Sequence, residues 1–386
     1  MLPFIDLKAQ FEVVGADINK RVLEVLASAQ YIMGPQVAEM EAELARFADA
    51  KHCISCASGT DALLMALMAL SIGPGDAVFT TPFTFVATAE VIALTGATPV
   101  FVDIDPVTYN MDADRLEQAL MAFNVNDKSY PLPRGIDITG LRPKAVIPVD
   151  LFGLACDYDA INAVAAKYGL TVLEDAAQGF GAEFKGRRTC GLTPISATSF
   201  FPAKPLGCAG DGGAVFTNDD ALLEKLHSIR VHGQSDDKYN NVRIGINGRM
   251  DTIQAAVILA KLPIFEDEIA KRQIVAQAYT ERLQALNDCK IPVVPKGYLS
   301  VWAQYSIMSA RKPELMTALK EAGIPTACYY PIPLHLQGAF GYLGYQKGDM
   351  PVSEACAQDI FSLPMHPYLK AADIERICNV IANILK

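Results

Sequence analysis

From about residue 50 to residue 220, short apolar runs alternate with longer stretches of helical periodicity, and no other feature restricts the possible fold as much. Residues 53–56, 77–80, 98–102, 145–149 and 171–173 read as buried strands, and residues 61–71, 87–95 and 158–168 read as helices between them. Strands that are apolar at almost every position are covered on both faces, as in βαβ units that build a mostly parallel sheet. Ligands of such sheets bind beyond the carboxyl ends of the strands. The segments that follow each strand are therefore where chemistry is to be sought.

The rest of the chain is organised differently. Residues 250–262 predict a helix that Pro263 should end or kink, and residues 266–286 resume the helical pattern. Residues 301–308 alternate like a strand, while 313–322 and 373–385 read as helices. This pattern predicts a large α/β domain over 1–265 and a smaller α+β domain over 266–386. Residues 123–141 carry Pro, Gly and Asn without periodicity and predict a surface excursion that could face a substrate.

Composition narrows the function. Half the residues are hydrophobic (51%) and 20% are charged, so the chain has ample core material and no signature of disorder. A formal net charge of -10 argues against a nucleic-acid partner, although a few local cations or helix N-termini suffice for a small anion. The first residues lack a basic segment followed by an apolar stretch, and the longest apolar run is too short to span a bilayer, which predicts a cytoplasmic protein without a membrane partner. Cys53 and Cys56 form a C-x-x-C pair, but no second pair completes a metal site, and no metal is expected.

Four segments carry candidate chemistry. In Ser199-Phe200-Phe201-Pro202-Ala203-Lys204-Pro205-Leu206-Gly207, Lys204 has few local carboxylates, and a desolvated amine of lowered pKa is what Schiff-base chemistry requires. A lysine beside Gly-rich turns is also common on surfaces. Asp175, in Glu174-Asp175-Ala176-Ala177-Gln178, lies at a strand end. It can pair with a protonated pyridine nitrogen, as in pyridoxal phosphate sites, or cap a helix. Ser58-Gly59-Thr60-Asp61 offers backbone N–H groups and a hydroxyl to a phosphate at a helix start, with capping by Ser58 or Thr60 as the plainer reading. In Thr81-Pro82-Phe83-Thr84-Phe85, either aromatic could stack on a flat heterocycle or belong to the core.

This ordered set resembles the sugar aminotransferases of the DegT/DnrJ/StrS family, over nearly the whole chain. The resemblance runs from FIDLKAQ through SGTDAL, TPFTFVATAE, EDAAQ, SFFPAKPLG and GDGGA to NGRMDTIQAA, YYPIPLHLQ and SLPMHPYL. It implies a pyridoxal-phosphate-dependent transferase of type I fold, with Lys204 bound to pyridoxal 5′-phosphate, Asp175 on the ring nitrogen and Gln178 beside the ring. It further implies Phe85 as the stacking aromatic, Gly59, Thr60 and Ser199 on the phosphate, and Asn247 reaching the phosphate held by the other subunit of a homodimer. Pyridoxamine 5′-phosphate is then the form reached during turnover.

The implied substrates are L-glutamate as amino donor and a nucleotide-linked keto sugar, most closely a UDP-linked 3-keto sugar acid used for bacterial surface polysaccharides. Arg249, Tyr330 and His335 are candidate substrate contacts, whereas His232 and His366 read as structural. Two features depart from the resemblance: Tyr329-Tyr330 stands where His-Tyr is expected, and the 123–141 excursion is long. A 4-keto nucleotide sugar is the alternative substrate. A sugar dehydratase would carry His in place of Lys204. A regulatory homologue would have little use for the full cofactor set, and a nucleotide-binding oxidoreductase would need a G-x-G-x-x-G after the first strand.

Overall fold

The structure is a computed structural model that describes residues 2–237 and 239–385. Two helices come first, α1 (Leu7–Ser28) and α2 (Pro35–Phe47), neither of which stood out in the sequence. The alternating segment then follows as β1 (His52–Cys56), α3 (Gly59–Ala69), β2 (Asp76–Thr80), α4 (Ala87–Leu94), β3 (Thr98–Phe101), α5 (Ala113–Val125), β4 (Arg142–Ile147), α6 (Tyr158–Tyr168) and β5 (Thr171–Asp175). Beyond it lie β6 (Glu183–Phe184), β7 (Arg187–Arg188), β8 (Ile195–Ser199), β9 (Gly213–Thr217) and α7 (Asp220–Arg230). The chain continues through α8 (Thr252–Leu283), β10 (Tyr298–Leu299), β11 (Tyr305–Met308), α9 (Lys312–Glu321), α10 (Pro351–Asp359), β12 (Ile360–Leu363) and α11 (Ala371–Leu385).

Seven strands form the central sheet in the order β1-β9-β8-β5-β4-β2-β3. Pairing is parallel from β3 across to β8, and β9 runs antiparallel to both of its neighbours, so six strands point the same way. Every residue of β2, β8 and β9 is buried; β2 carries the apolar run expected of such a strand, whereas β8, with Ser196, Thr198 and Ser199, and β9 were not singled out in the sequence. On β1, Cys53 joins the core on one face of the sheet and Cys56 the core on the other. Alternation along a strand separates positions three apart in this way, so the C-x-x-C pair packs as two small hydrophobes.

Three boundaries differ from the sequence reading, each for a local reason. Helix α3 starts at Gly59 rather than Asp61, because the Ser58 hydroxyl accepts the Asp61 N–H at 3.0 Å and caps the helix two residues earlier. Helix α8 runs through Pro263 without ending. Burial of Ile258 and Leu259 before the proline and of Phe265, Ile269 and Arg272 after it outweighs the one backbone hydrogen bond that proline removes. The expected boundary near residue 265 therefore falls inside one helix. Strand β11 begins only at Tyr305, since Trp302 takes a positive φ of 50° and the Val301 N–H turns away to Gly153 O at 2.9 Å. A second core, formed by Tyr279, Leu283, Tyr305, Leu315, Phe361 and Ile377, lies between the last third of α8, the β11–β12 pair, α9 and α11. Among the described residues no helix is long and apolar enough to cross a membrane.

Candidate active site

Because β1, β2, β4, β5 and β8 are mutually parallel, their carboxyl ends, and with them the four segments of candidate chemistry, emerge at one edge of the sheet, whereas the 123–141 excursion leads into the amino end of β4. The register fixes the depth of each. Ser199 pairs with Gly213, which also pairs with Cys56, while Asp175 pairs with Ala197 and bridges to Val149.

Gly59 and Thr60 occupy the first turn of α3, where backbone N–H groups have no partner within the helix and the helix dipole favours an anion. A Cβ on Gly59 would lie 2.6 Å from Ser199 Cβ, so glycine is required for the α3 turn to close on β8. The strand end and the helix start thereby make a cradle lined by N–H groups, with the Thr60 and Ser199 hydroxyls at hand. Gly59→Ala is expected to keep the circular-dichroism spectrum and to weaken pyridoxal 5′-phosphate binding roughly 10- to 100-fold, for a displacement that costs about 1–3 kcal/mol. Absorbance titration of the apoprotein measures this, and wild-type affinity in the variant would remove Gly59 from the cradle.

Asp175 is 3% exposed, and its carboxylate is held at both oxygens. Thr88 Oγ1 donates to Oδ2 at 2.8 Å and the Ala177 N–H donates to Oδ1 at 3.1 Å. Burial pushes this carboxyl above the usual range, while those two donors and the nearby charge of Lys204 pull it back. No helix starts here, so Asp175 is not a helix cap. Thr88 escaped the sequence reading. Its signal was the Thr84-x-x-x-Thr88 spacing, which sets two hydroxyls 3.1 Å apart on one face at the start of α4.

Burial lowers the Lys204 ammonium below the ordinary lysine range, and only the Asp175 charge opposes this. The amine is therefore neutral more readily than a surface lysine. Its loop is braced from beneath by α8. Buried Lys261 Nζ donates to Gly207 O at 2.7 Å, and Gln254 Oε1, two turns away on the same helix face, accepts the Ala209 N–H at 2.8 Å. Cys208 N–H closes the loop on Phe200 O at 2.8 Å, and a Cβ on Gly207 would lie 2.6 Å from Pro202 O. Lys261 was also missed; the signal was a cation inside the otherwise apolar run of residues 255–262.

Gln178 is buried and spans two segments. Its Oε1 accepts the Phe152 N–H at 2.8 Å, and its Nε2 donates to the Tyr330 hydroxyl at 3.0 Å. The Tyr330 ring sits 6.4 Å from that of Phe85 and 6.3 Å from that of Phe83. Of these two phenylalanines Phe83 is core, whereas Phe85 is 55% exposed and is the one with a face to offer. Arg249 is half-buried, and its Nε has no hydrogen-bond partner among the described residues. Asn247 is exposed and bridges to Val231; its neighbour Gly248 accepts the Ala57 N–H at 3.0 Å, just before the cradle.

His335 does not join this group: its side chain is wholly buried and its Nε2 lies 3.1 Å from Glu354 Oε1. His366 is buried as expected of a structural residue, but neither ring nitrogen has a hydrogen-bond partner among the described residues, and burial takes it down to about 4. Among the described residues no three His, Cys, Asp or Glu side chains are grouped to hold a metal ion.

These residues fit pyridoxal 5′-phosphate on three observations: a cradle that a Cβ would fill, a buried carboxylate for a ring nitrogen, and a desolvated amine for an aldehyde. A mostly parallel sheet carrying all three at its carboxyl edge defines a type I pyridoxal-phosphate-dependent transferase. More specifically, residues 13–382 match the DegT/DnrJ/EryC1/StrS aminotransferase family, to which the chain belongs.

The chain is 49% identical over 383 residues to the UDP-2-acetamido-2-deoxy-3-oxo-D-glucuronate aminotransferase of Pseudomonas aeruginosa, covering 99% of this chain and 100% of that one. It is 40% identical over 384 residues to the UDP-N-acetyl-3-dehydro-alpha-D-glucosamine 3-aminotransferase of Acidithiobacillus ferrooxidans, covering 100% of this chain and 98% of that one. The crystal structure of a DegT DnrJ EryC1 StrS aminotransferase from Brucella abortus superposes with a TM-score of 0.94 at 48% identity and full coverage of both chains.

Proposed function

We propose that this protein transfers the amino group of L-glutamate to the keto carbon of a UDP-linked 3-keto sugar or sugar acid, in the cytoplasm, for bacterial surface polysaccharides. The cofactor is pyridoxal 5′-phosphate. The observation that carries the reading is the convergence of Lys204, Asp175 and the Gly59 cradle on one sheet edge. Two relatives named for 3-keto UDP sugars support the 3-keto choice over a 4-keto sugar.

When bound, the cofactor supplies the electron sink and the carbonyl that carries the amino group between substrates. Lys204 Nζ would hold the cofactor and, once released as a neutral amine, would carry the proton from the donor carbon to the cofactor carbon that takes the amino group, and in the opposite half-reaction would carry a proton back from that carbon to the sugar carbon. Asp175 keeps a proton on the ring nitrogen by offering it a buried negative charge. Gly59, Thr60 and Ser199 hold the phosphate. Phe85 covers one face of the ring, and Gln178, fixed by Phe152 and Tyr330, holds its polar side. Arg249 offers a two-pronged donor to a carboxylate or phosphate of the substrate.

A homodimer completes each site through Asn247. In support, Asn247 is exposed beside its own cradle, and Leu7, Phe11, Leu23, Ile32, Phe201 and Ile244 are exposed apolar side chains of the kind a partner subunit covers.

The test is 2-oxoglutarate release from L-glutamate with UDP- and dTDP-linked 3-keto and 4-keto sugars. The expected result is kcat/KM for a UDP-linked 3-keto sugar at least about 10-fold above every 4-keto sugar, a difference of about 1.4 kcal/mol in transition-state binding. Faster turnover of a 4-keto sugar would transfer the assignment to that class, and equal inactivity throughout would end the sugar assignment.

A further inference from the structure

Behind Asp175, on the other face of β5, two carboxyl groups meet inside the protein. Glu174 precedes Asp175 in the strand, so its side chain points away from the Thr88 side, and it is 0% exposed. Asp150, just beyond β4, is also 0% exposed, and because Val149 pairs with Asp175 across the two parallel strands, Asp150 and Glu174 lie on the same face, where each acts on the other's charge. Asp150 Oδ1 accepts the Cys156 N–H at 2.9 Å and the Tyr158 hydroxyl at 2.8 Å, while Oδ2 has no hydrogen-bond partner among the described residues. Glu174 Oε1 accepts the Cys190 N–H at 2.7 Å, and the Thr193 hydroxyl approaches Oε2 at 3.4 Å.

The charged and titratable groups facing the pair are Tyr158 and Cys156 from the α6 side, Cys190 from the loop after β7, and Asp175 across the strand. None is a cation. Two neighbouring buried carboxylates cannot both stay charged in such a place, so one of them holds a proton. Burial, followed for Glu174 by the charge of Asp150, pushes both groups up, in agreement with that geometry.

The pair is tied to the site through the backbone. The Asp150 N–H donates to Asp175 O at 3.0 Å, and the Asp175 N–H donates to Pro148 O at 3.0 Å. A Cβ on Gly179 would lie 2.5 Å from Asp150 Cβ, so the turn bearing Gln178 rests directly on this side chain. Two residues beyond Asp150, the Phe152 N–H meets Gln178 Oε1.

We propose that Asp150 and Glu174 form a positioning pair that shares one proton, bolts the Asp175–Gln178 turn to the loop after β4, and leaves Asp175 as the carboxylate facing the ring nitrogen. The proton-sharing stands on the protein alone, while the link to the ring nitrogen rests on the cofactor assignment above.

Difference infrared spectroscopy of the apoprotein tests the first part. Wild type at neutral pH should show a carboxylic-acid C=O band that shifts in D2O and fades at alkaline pH; Glu174→Gln and Asp150→Asn should each move that band, because the remaining acid loses its carboxylate neighbour, and the double variant should lack it. Absence of the band from wild type, or its persistence unmoved in both single variants, overturns the pair, and the wild-type arm decides even if no variant folds. A pH titration of the visible spectrum of the reconstituted protein tests the second part. When wild type loses the shared proton, the added negative charge favours the protonated cofactor. Glu174→Gln never gains that charge, so its spectral transition should move to lower pH by roughly one unit. A superimposable transition refutes the link to Asp175, whereas failure of wild type to bind pyridoxal 5′-phosphate at all refutes the cofactor assignment and leaves the infrared result standing.

Discussion

Lys204→Ala should lower transamination roughly 1000-fold or more, since it removes at once the amine that holds the cofactor and the base that moves the substrate proton. The absorbance of lysine-bound cofactor should vanish, while pyridoxal 5′-phosphate should still bind through the Gly59 cradle and Asp175. Burial is what gives this amine its reactivity, by lowering its affinity for a proton. Lys204→Arg separates charge from chemistry, because a guanidinium keeps the positive charge but stays protonated. It should be as inactive as the alanine variant. Unchanged absorbance and turnover in Lys204→Ala would mean that another amine does this work, and buried Lys261, one loop away, would be the first to test.

Several sheet strands were legible because strands covered on both faces need apolar residues, and residues 77–79 of β2, 145–147 of β4 and 172–173 of β5 show such runs. The same regularity made the site legible. Once the strands are parallel, Gly59, Asp175, Ser199 and Lys204 must share an edge, however far apart they stand in the chain. Helix α8 was harder to read, because the cost of Pro263 is local and visible whereas the burial that offsets it involves α1 and α2, whose packing no single window displays.

What the sequence could not display were the partners. Thr88 reads as one more helix residue until Asp175 is placed beside it, 87 positions away. Glu174 and Asp150 look like ordinary acidic residues near strand ends, and only their mutual burial turns them into a pair. His335, a histidine in a motif-like string, proves to be buried with its Nε2 beside Glu354, a partner 19 positions away that the string does not announce. Composition records that a polar side chain exists, but whether it meets water, a ligand or another buried group depends on contacts between distant segments.

Asp175→Asn is expected to lower kcat by roughly 100- to 1000-fold with little effect on folding. The substitution keeps the volume, so the positions facing Thr88 and Ala177 remain filled, although one of those donors would then face the amide NH2. What disappears is the negative charge. Removing one partner of a buried ion pair costs about 3–5 kcal/mol, and the pair formed by Asp175 and a protonated ring nitrogen exists only when that nitrogen carries its proton. The loss should therefore fall on kcat, where the electron sink is needed, more than on cofactor affinity, which the cradle also supports. Asp175→Glu is the sharper control. It retains the charge but adds a methylene in a site closed by Thr88 and the Ala177 N–H, so partial activity would show that charge matters more than exact placement. Wild-type kcat in Asp175→Asn would show that the ring nitrogen works without this carboxylate, and the role assigned here to Asp175 would fall.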